Sequence, residues 1–262
     1  LLGEREAPSP AIIIGQAAHA GIEAVLRSYQ EKRPSGGKAA IEQQVAMKYH
    51  SLKGAVKSWI DGRSTLSQED GLTFATMMSA TLYERAVPDV KRGSKYCEWR
   101  FDEEVPGVGP EPNGDRWTFT GSIDHVREYG RVMTIDDWKT TSGRWSQSRA
   151  DSSLQPDAYY WAVRRVFGRL PDKFVFHVVS RPKRANGEWG ECAYETYETT
   201  RDAGAIDLFE ERMRHAIKYV RLMHDSEKAG DMRTDWEYHK YCAFRGVCTP
   251  WELGTLGEGV IL

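Results

Sequence analysis

Residues 121–141 constrain this chain more than any other stretch. They run Gly121-Ser122-Ile123-Asp124, then through the turn Glu128-Tyr129-Gly130-Arg131 into Val132-Met133-Thr134-Ile135-Asp136-Asp137-Trp138-Lys139-Thr140-Thr141. Two strand-like runs around so tight a turn lie side by side. Residues two apart in a strand share a face. Asp137 and Lys139 therefore point one way, and Asp136 and Trp138 the other. Asp124, from the neighbouring strand, joins Asp137 and Lys139 at the strand ends. Two carboxylates and one ammonium so arranged can hold a divalent cation and polarise a water beside it.

The flanking segments imply a mixed architecture. Ser9 followed by Pro10 is a helix start. Apolar residues at 14, 18, 22, 25 and 26 continue it with helical spacing, and His19 and Glu23 share one of its faces. Residues 30–37 read as a loop. Residues 38–60 and about 66–86 read as two helices, from Ile41, Val45, Leu52, Val56 and Trp59 and then from Leu72, Met77, Met78 and Leu82. They form a helical insertion at about 30–95. Strands follow at about 96–105 and 116–127, and the third carries Asp137 and Lys139. A polar loop is expected at 142–152 and a helix at about 153–167. Residues 173–180 and 189–197 read as a hairpin through Asn186-Gly187. An amphipathic helix at 202–229 and a cysteine-bearing tail at about 231–262 complete the chain. The expectation is a single α/β (α+β) domain over 1–262, with a mixed central sheet flanked by helices.

At 262 residues, 40% apolar and 28% charged, the chain can bury one good core. It has no apolar run of 18 residues, so no membrane span is expected. Its start lacks the basic flank and apolar stretch of a signal peptide, which points to the cytoplasm. It begins at Leu1 rather than at methionine, so Leu1 need not be the natural start. With a net charge of −2, nucleic-acid binding would need a local basic face. Candidates are Arg144 with Arg149, Arg164 with Arg165 and Arg169, and Arg181-Pro182-Lys183-Arg184; an ordinary solvated surface is the alternative for each. Four cysteines do not make a disulfide scaffold. Cys97 and Cys192 lie in strand-like stretches and read as small buried hydrophobes.

Asp-x-Lys alone arises by chance, and the three residues could be ordinary surface groups. The order of the whole array is more specific: His19, then Gly121-x-x-Asp124, then Asp137-x-Lys139, then Gln155-x-x-x-Tyr159. From about Pro8 to Trp251 this array resembles the PD-(D/E)XK nuclease superfamily in its RecB-like branch. Ile14-Gly15-Gln16-Ala17-Ala18-His19 is similar to that branch's first-helix motif. Ile135-Asp136-Asp137-Trp138-Lys139-Thr140 is similar to its Val-Asp-Tyr-Lys-Thr motif, and Gln155-Pro156-Asp157-Ala158-Tyr159 to its Gln-x-x-x-Tyr motif. Two departures are mild: Ile123 stands where the superfamily's proline would be, and Asp137 where many members have Glu.

The resemblance implies a restriction-endonuclease-like fold and metal-dependent hydrolysis of phosphodiester bonds. It implies an exonuclease acting on DNA ends or single strands, in phage recombination or DNA repair, with a helicase, single-strand-binding or recombination protein as partner. Asp124, Asp137 and the backbone carbonyl of Trp138 would bind Mg²⁺ or Mn²⁺. His19 would be an added ligand that favours Mn²⁺, or else a helix histidine packed on the sheet. Lys139 would orient or deprotonate the attacking water. Gln155 and Tyr159 would touch DNA and buttress the site, with helix packing against the sheet as the alternative for both. Glu98, on the first core strand, is a supporting residue.

The tail departs further. The branch's cysteine cluster corresponds here to His239, Cys242 and Cys248, with His239 in place of the first cysteine and no cysteine before Cys97. Iron–sulfur clusters usually take four thiolates, and two cysteines with one histidine leave a zinc site one ligand short. The tail reads as a degenerate remnant, with an iron–sulfur cluster or zinc as alternatives. A CRISPR-adaptation type nuclease and a catalytically silent DNA-binding nuclease fold are the rival functions. The Gln-x-x-x-Tyr motif and His19 argue against a restriction-type endonuclease.

Overall fold

The computed structural model describes residues 8–56, 60–61, 64–65, 67–111, 114–141, 143–180 and 190–225. They divide into two compact units. The larger contains the described residues of 8–103 and 118–209, and the smaller those of 104–117 and 210–225.

The larger unit begins with helix α1 (Pro10–Gln30). Ser9 caps it by accepting the Ile12 N–H, and proline occupies its first turn. Helices α2 (Gly37–Leu52) and α3 (Gln68–Arg85) pack against it. A reciprocal capping box between Ser67 and Asp70 starts α3. Ile13, Ala17, Ile22, Ile41, Val45 and Phe74 from these helices join one apolar cluster with Trp138 and Val179 of the sheet. The inserted helices are thus part of the core. Gly21 permits their close approach: a Cβ there would lie 2.3 Å from Ser79 Oγ and 2.8 Å from Val45 Cγ2.

The expected helix over 38–60 is shorter than its periodicity suggested. A 3₁₀ turn at Lys53–Ala55 closes α2, and Ile60–Asp61 (β1) pairs antiparallel with Ser64–Thr65 (β2). A short helix α4 (Val87–Val90) follows α3.

The main sheet has five strands: β3 (Ser94–Glu104), β4 (Thr118–Tyr129), β5 (Val132–Thr141), β6 (Lys173–Ser180) and β7 (Ala193–Thr199). They lie in that order, with β4–β5 and β6–β7 antiparallel and β5–β6 parallel. A parallel step needs a crossover, supplied here by α5 (Gln147–Ser152) and α6 (Leu154–Phe167). The mixed sheet flanked by helices is the architecture expected from the sequence. Alternation sorts β6 by face. Val179 faces the α1–α3 cluster, while Phe174 and Phe176 face the other way, Phe174 against Tyr159 of α6.

Helix α5 lies where the sequence reads as a loop. Ser146 accepts the Arg149 N–H and Ser153 accepts the Gln155 N–H, so two serines cap two helices in tandem. Cys97 is buried in β3, as expected, and burial pushes its thiol up to about 12. Cys192 is only partly buried and precedes β7. Helix α7 (Ala203–Asp225) starts in the larger unit. Within the smaller unit, Arg221 Nε donates to Glu111 Oε1 (2.7 Å) and Arg214 Nε to the Pro106 carbonyl (2.9 Å). Among the described residues no helix is long and apolar enough to cross a membrane. The Asn186-Gly187 turn, Arg181-Pro182-Lys183-Arg184 and the tail with His239, Cys242 and Cys248 lie outside the described residues.

Gly21→Ala is expected to destabilise the protein by about 1–3 kcal/mol, the usual cost of overpacking. Each kcal/mol should lower the melting temperature by roughly 2–4 °C, read by circular dichroism. Gly54→Ala, where an added Cβ meets nothing within 4 Å, should melt like the wild type.

Candidate functional site

The site forms where β4 and β5 part. Their antiparallel register runs from Tyr129–Val132 to His125–Asp136. Just beyond it, the Trp138 N–H is taken by Asp124 Oδ2 at 2.9 Å. A carboxylate there does the accepting that a partner strand's carbonyl would otherwise do. His19 of α1 faces the same oxygen, with Nδ1 3.8 Å away. Helix α1 comes this close because Gly15, one turn before His19, has no side chain. A Cβ at Gly15 would lie 2.9 Å from Thr140 Oγ1.

Asp137 faces α6. Gln155 Nε2 donates to Asp137 Oδ1 (2.6 Å) and to the Tyr159 hydroxyl (2.8 Å), which donates to the Ser122 carbonyl (2.7 Å). Four residues apart on a helix, Gln155 and Tyr159 act as one strut. Gly121 lets the Phe101 ring lie across β4, since a Cβ there would fall 2.5 Å from Phe101 Cζ. Phe101 in turn meets Tyr159 edge-on at 6.4 Å. Lys139 Nζ stands 2.7 Å from Asp137 Oδ2 as an ion pair.

Glu98 reaches the same neighbourhood from β3 by accepting the Ser122 hydroxyl (3.1 Å). Its backbone is left-handed (φ +49°) within the strand. For a residue other than glycine that conformation costs on the order of 1–3 kcal/mol, and such strain clusters at functional sites.

Shielding dominates the electrostatics. Burial pushes the Asp124 carboxyl up to about 7, against the Trp138 N–H and the Lys139 ammonium. Burial, then the Asp124 charge, pushes Asp137 up to about 6, with Lys139 opposing. Glu98 is raised by burial and by Glu23, and burial lowers His19. Carboxylates that cannot shed their charge to water favour either a proton or a cation.

The residues singled out in the sequence therefore meet in one chain of contacts: His19, Asp124, Asp137, Lys139, Gln155, Tyr159 and Glu98, with the Trp138 main chain. Trp138 contributes only its backbone, because its ring is buried on the opposite face. Two carboxylates, a main-chain carbonyl and an imidazole form a donor set suited to Mg²⁺ or Mn²⁺. The Asp137 carboxyl, raised by burial and by the neighbouring Asp124 charge, fits that use. Among the described residues no three acidic, histidine or cysteine side chains already surround one point, and Lys139 holds Asp137 instead.

A second polar cluster was not anticipated. Asp136, fully buried, accepts from Arg127 Nε (2.9 Å) and pairs with His125 Nδ1 and His177 Nε2, each at 3.0 Å. Ser94 and Tyr194 close the outer sides of the two imidazoles at 2.8 and 2.7 Å. Burial works against ionisation of Asp136, but the two histidine hydrogen bonds overcome it and hold the carboxyl far below its usual range. Alternation had put Asp136 on the face away from Asp137. The local signal for its partners was His125, which pairs directly opposite it; His177 comes from a distant strand.

A family model described as PD-(D/E)XK nuclease superfamily matches residues 2–249. The crystal structure of SSO0001 aligns over 94% of this chain and 89% of that one, at 15% identity and a TM-score of 0.31. No curated protein matches the sequence.

The two neighbouring aspartates should respond oppositely to pH. The folded Asp137 carboxyl sits above its unfolded value, so its stabilising contribution is complete below about pH 4 and lost as pH rises through about 6. Asp137→Asn in the metal-free protein should therefore melt higher than wild type at pH 8, by on the order of 2–4 °C, and not at pH 4. Asp136 sits below its unfolded value, so its contribution is present above about pH 4 and lost in acid. Asp136→Ala should cost about 3–5 kcal/mol at pH 8, because it strands buried partners. Melting curves at the two pH values read both effects.

Proposed function

The chain belongs to the PD-(D/E)XK nuclease superfamily, and on that premise we propose that it is a metal-dependent DNA exonuclease of the RecB-like type. The observation that most supports this is the meeting of Asp124, Asp137 and Lys139 where β4 and β5 part, flanked by His19 and by the Gln155–Tyr159 strut. Asp124, Asp137, the Trp138 carbonyl and His19 would hold Mg²⁺ or Mn²⁺. A bound cation supplies an activated water at neutral pH and charge neutralisation at the phosphate.

The remaining chemistry is the chain's own. Lys139, whose side chain is 28% exposed, is the cation that open water and an incoming phosphate can reach. It orients the attacking water and offsets the charge that builds on the phosphate. Gln155 fixes Asp137 by one oxygen and leaves the other toward Lys139. Tyr159 holds Gln155 by its hydroxyl and also touches DNA. Glu98 supports the arrangement through Ser122. Because Asp124 and Asp137 hold protons more tightly than ordinary carboxylates, metal binding and activity rise with pH across about 6 to 8.

The biological setting we favour is phage recombination or DNA repair, with CRISPR adaptation as the runner-up. A silent DNA-binding fold has no need of both aspartates and the lysine. Incubation of linear and covalently closed circular DNA with Mn²⁺ tests the reading. Wild type should degrade the linear form and spare the circle, and Lys139→Ala should be slower by roughly 10²-fold or more. Equal cutting of the circle would make the enzyme an endonuclease. No cutting of either form would leave a binding module.

A further inference from the structure

The side chains of Trp145 and Arg149 take no part in the contacts described above, yet they continue the row that starts at Lys139. Lys139 Nζ lies 5.8 Å from the centre of the Phe176 ring on β6. Phe176 packs on the half-buried Trp145 ring at 5.0 Å. The Arg149 guanidinium covers Trp145 at 4.5 Å. The result is an ammonium and a guanidinium linked through the fully buried Phe176 ring and the half-buried Trp145 ring. Tyr197 of β7 steadies it, with its ring 6.3 Å from Trp145 and its hydroxyl 3.2 Å from the Trp145 carbonyl. Trp145 is therefore held by both ring and main chain.

Lys139 is paired with Asp137 (2.7 Å), but the arginine end of the row is not so balanced. Arg127, Arg164, Arg169 and Arg201 each pair with a carboxylate. Arg144 and Arg149 are exposed, and among the described residues neither has a carboxylate partner. Two exposed arginines without acidic partners leave a local positive patch open to an anion, in a chain whose net charge is −2. A guanidinium stacked on a ring keeps its N–H edge free for that anion.

We propose that Trp145 and Arg149 form a nucleotide subsite next to the cleavage site, holding a single DNA strand as it enters. Arg149 meets a backbone phosphate, and the part of the Trp145 ring left exposed between Arg149 and Phe176 takes a base. The strand is single, because a base must leave its duplex stack to lie on a side-chain ring. The proposal rests on the reading of the site as one that acts on DNA.

Binding of a fluorescent single-stranded oligodeoxynucleotide to the full chain in EDTA, followed by anisotropy over a range of salt, tests it without cleavage. Arg149→Ala should weaken binding and reduce the slope of log K against log salt by about 0.7, the value of one phosphate contact on a single strand. Arg149→Lys should retain that slope. Trp145→Ala should weaken binding roughly tenfold with the slope unchanged, while Trp145→Phe, which keeps a ring packed on Phe176, retains most of the affinity. Wild-type affinity and slope in both alanine variants would overturn the subsite, as would an equal loss in Trp145→Phe and Trp145→Ala. A protein that binds through these residues but degrades no DNA refutes the exonuclease reading and leaves the subsite standing. One that degrades DNA, with both alanine variants binding like wild type, refutes the subsite alone.

Discussion

Two adjacent aspartates on one strand meet opposite environments, and the rest of the larger unit is arranged around that difference. Asp136 is buried with two imidazoles and a guanidinium, so its charge is fully answered from inside the protein. Asp137, equally buried, has one amide donor and a lysine that is also open to solvent. A buried charge with its partners supplied anchors a strand; a buried charge left short of partners is a place for a ligand. Strand β5 carries both, one residue apart, because successive side chains leave a strand on opposite faces.

The scaffold brings the remaining groups to this point largely through what it omits. Gly15 lets α1 approach β5, which carries His19 to Asp124 one helical turn later. Gly121 lets Phe101 cross β4 and brace Tyr159. In each case a missing side chain sets a distance that a methyl group would spoil. Glu98 shows the complementary device, a strained backbone that turns a carboxylate toward Ser122. Core packing of α1 with α2 and α3 supplies the rigidity that makes such close approaches reproducible.

Local patterns were good guides where one periodicity decided the outcome. The alternation around Asp136 and Asp137 separated the two faces. The four-residue spacing of Gln155 and Tyr159 put them on one side of a helix. Strand β6, apolar but for His177 between its two ends, lies where its residues indicated. Patterns misled where competing local chemistry ended an element. Helical spacing runs past Leu52, yet the helix stops there. The polar run before α6 looked like a loop until Ser146 and Ser153 proved to be caps.

The sequence by itself determined which side chains share a face, which residues can begin helices, and that two carboxylates and a lysine would lie near a strand end. These follow from backbone periodicity and capping chemistry, which act over a few residues. Only the tertiary structure decided that His177, 41 residues from Asp136, would help neutralise it. The same holds for the strut from Gln155 to Asp137 and for Lys139 leading through Phe176 to Trp145. Such contacts depend on the order of strands in the sheet and on the crossover between β5 and β6. No local spacing encodes them, because the energy that fixes them comes from burying distant segments against one another.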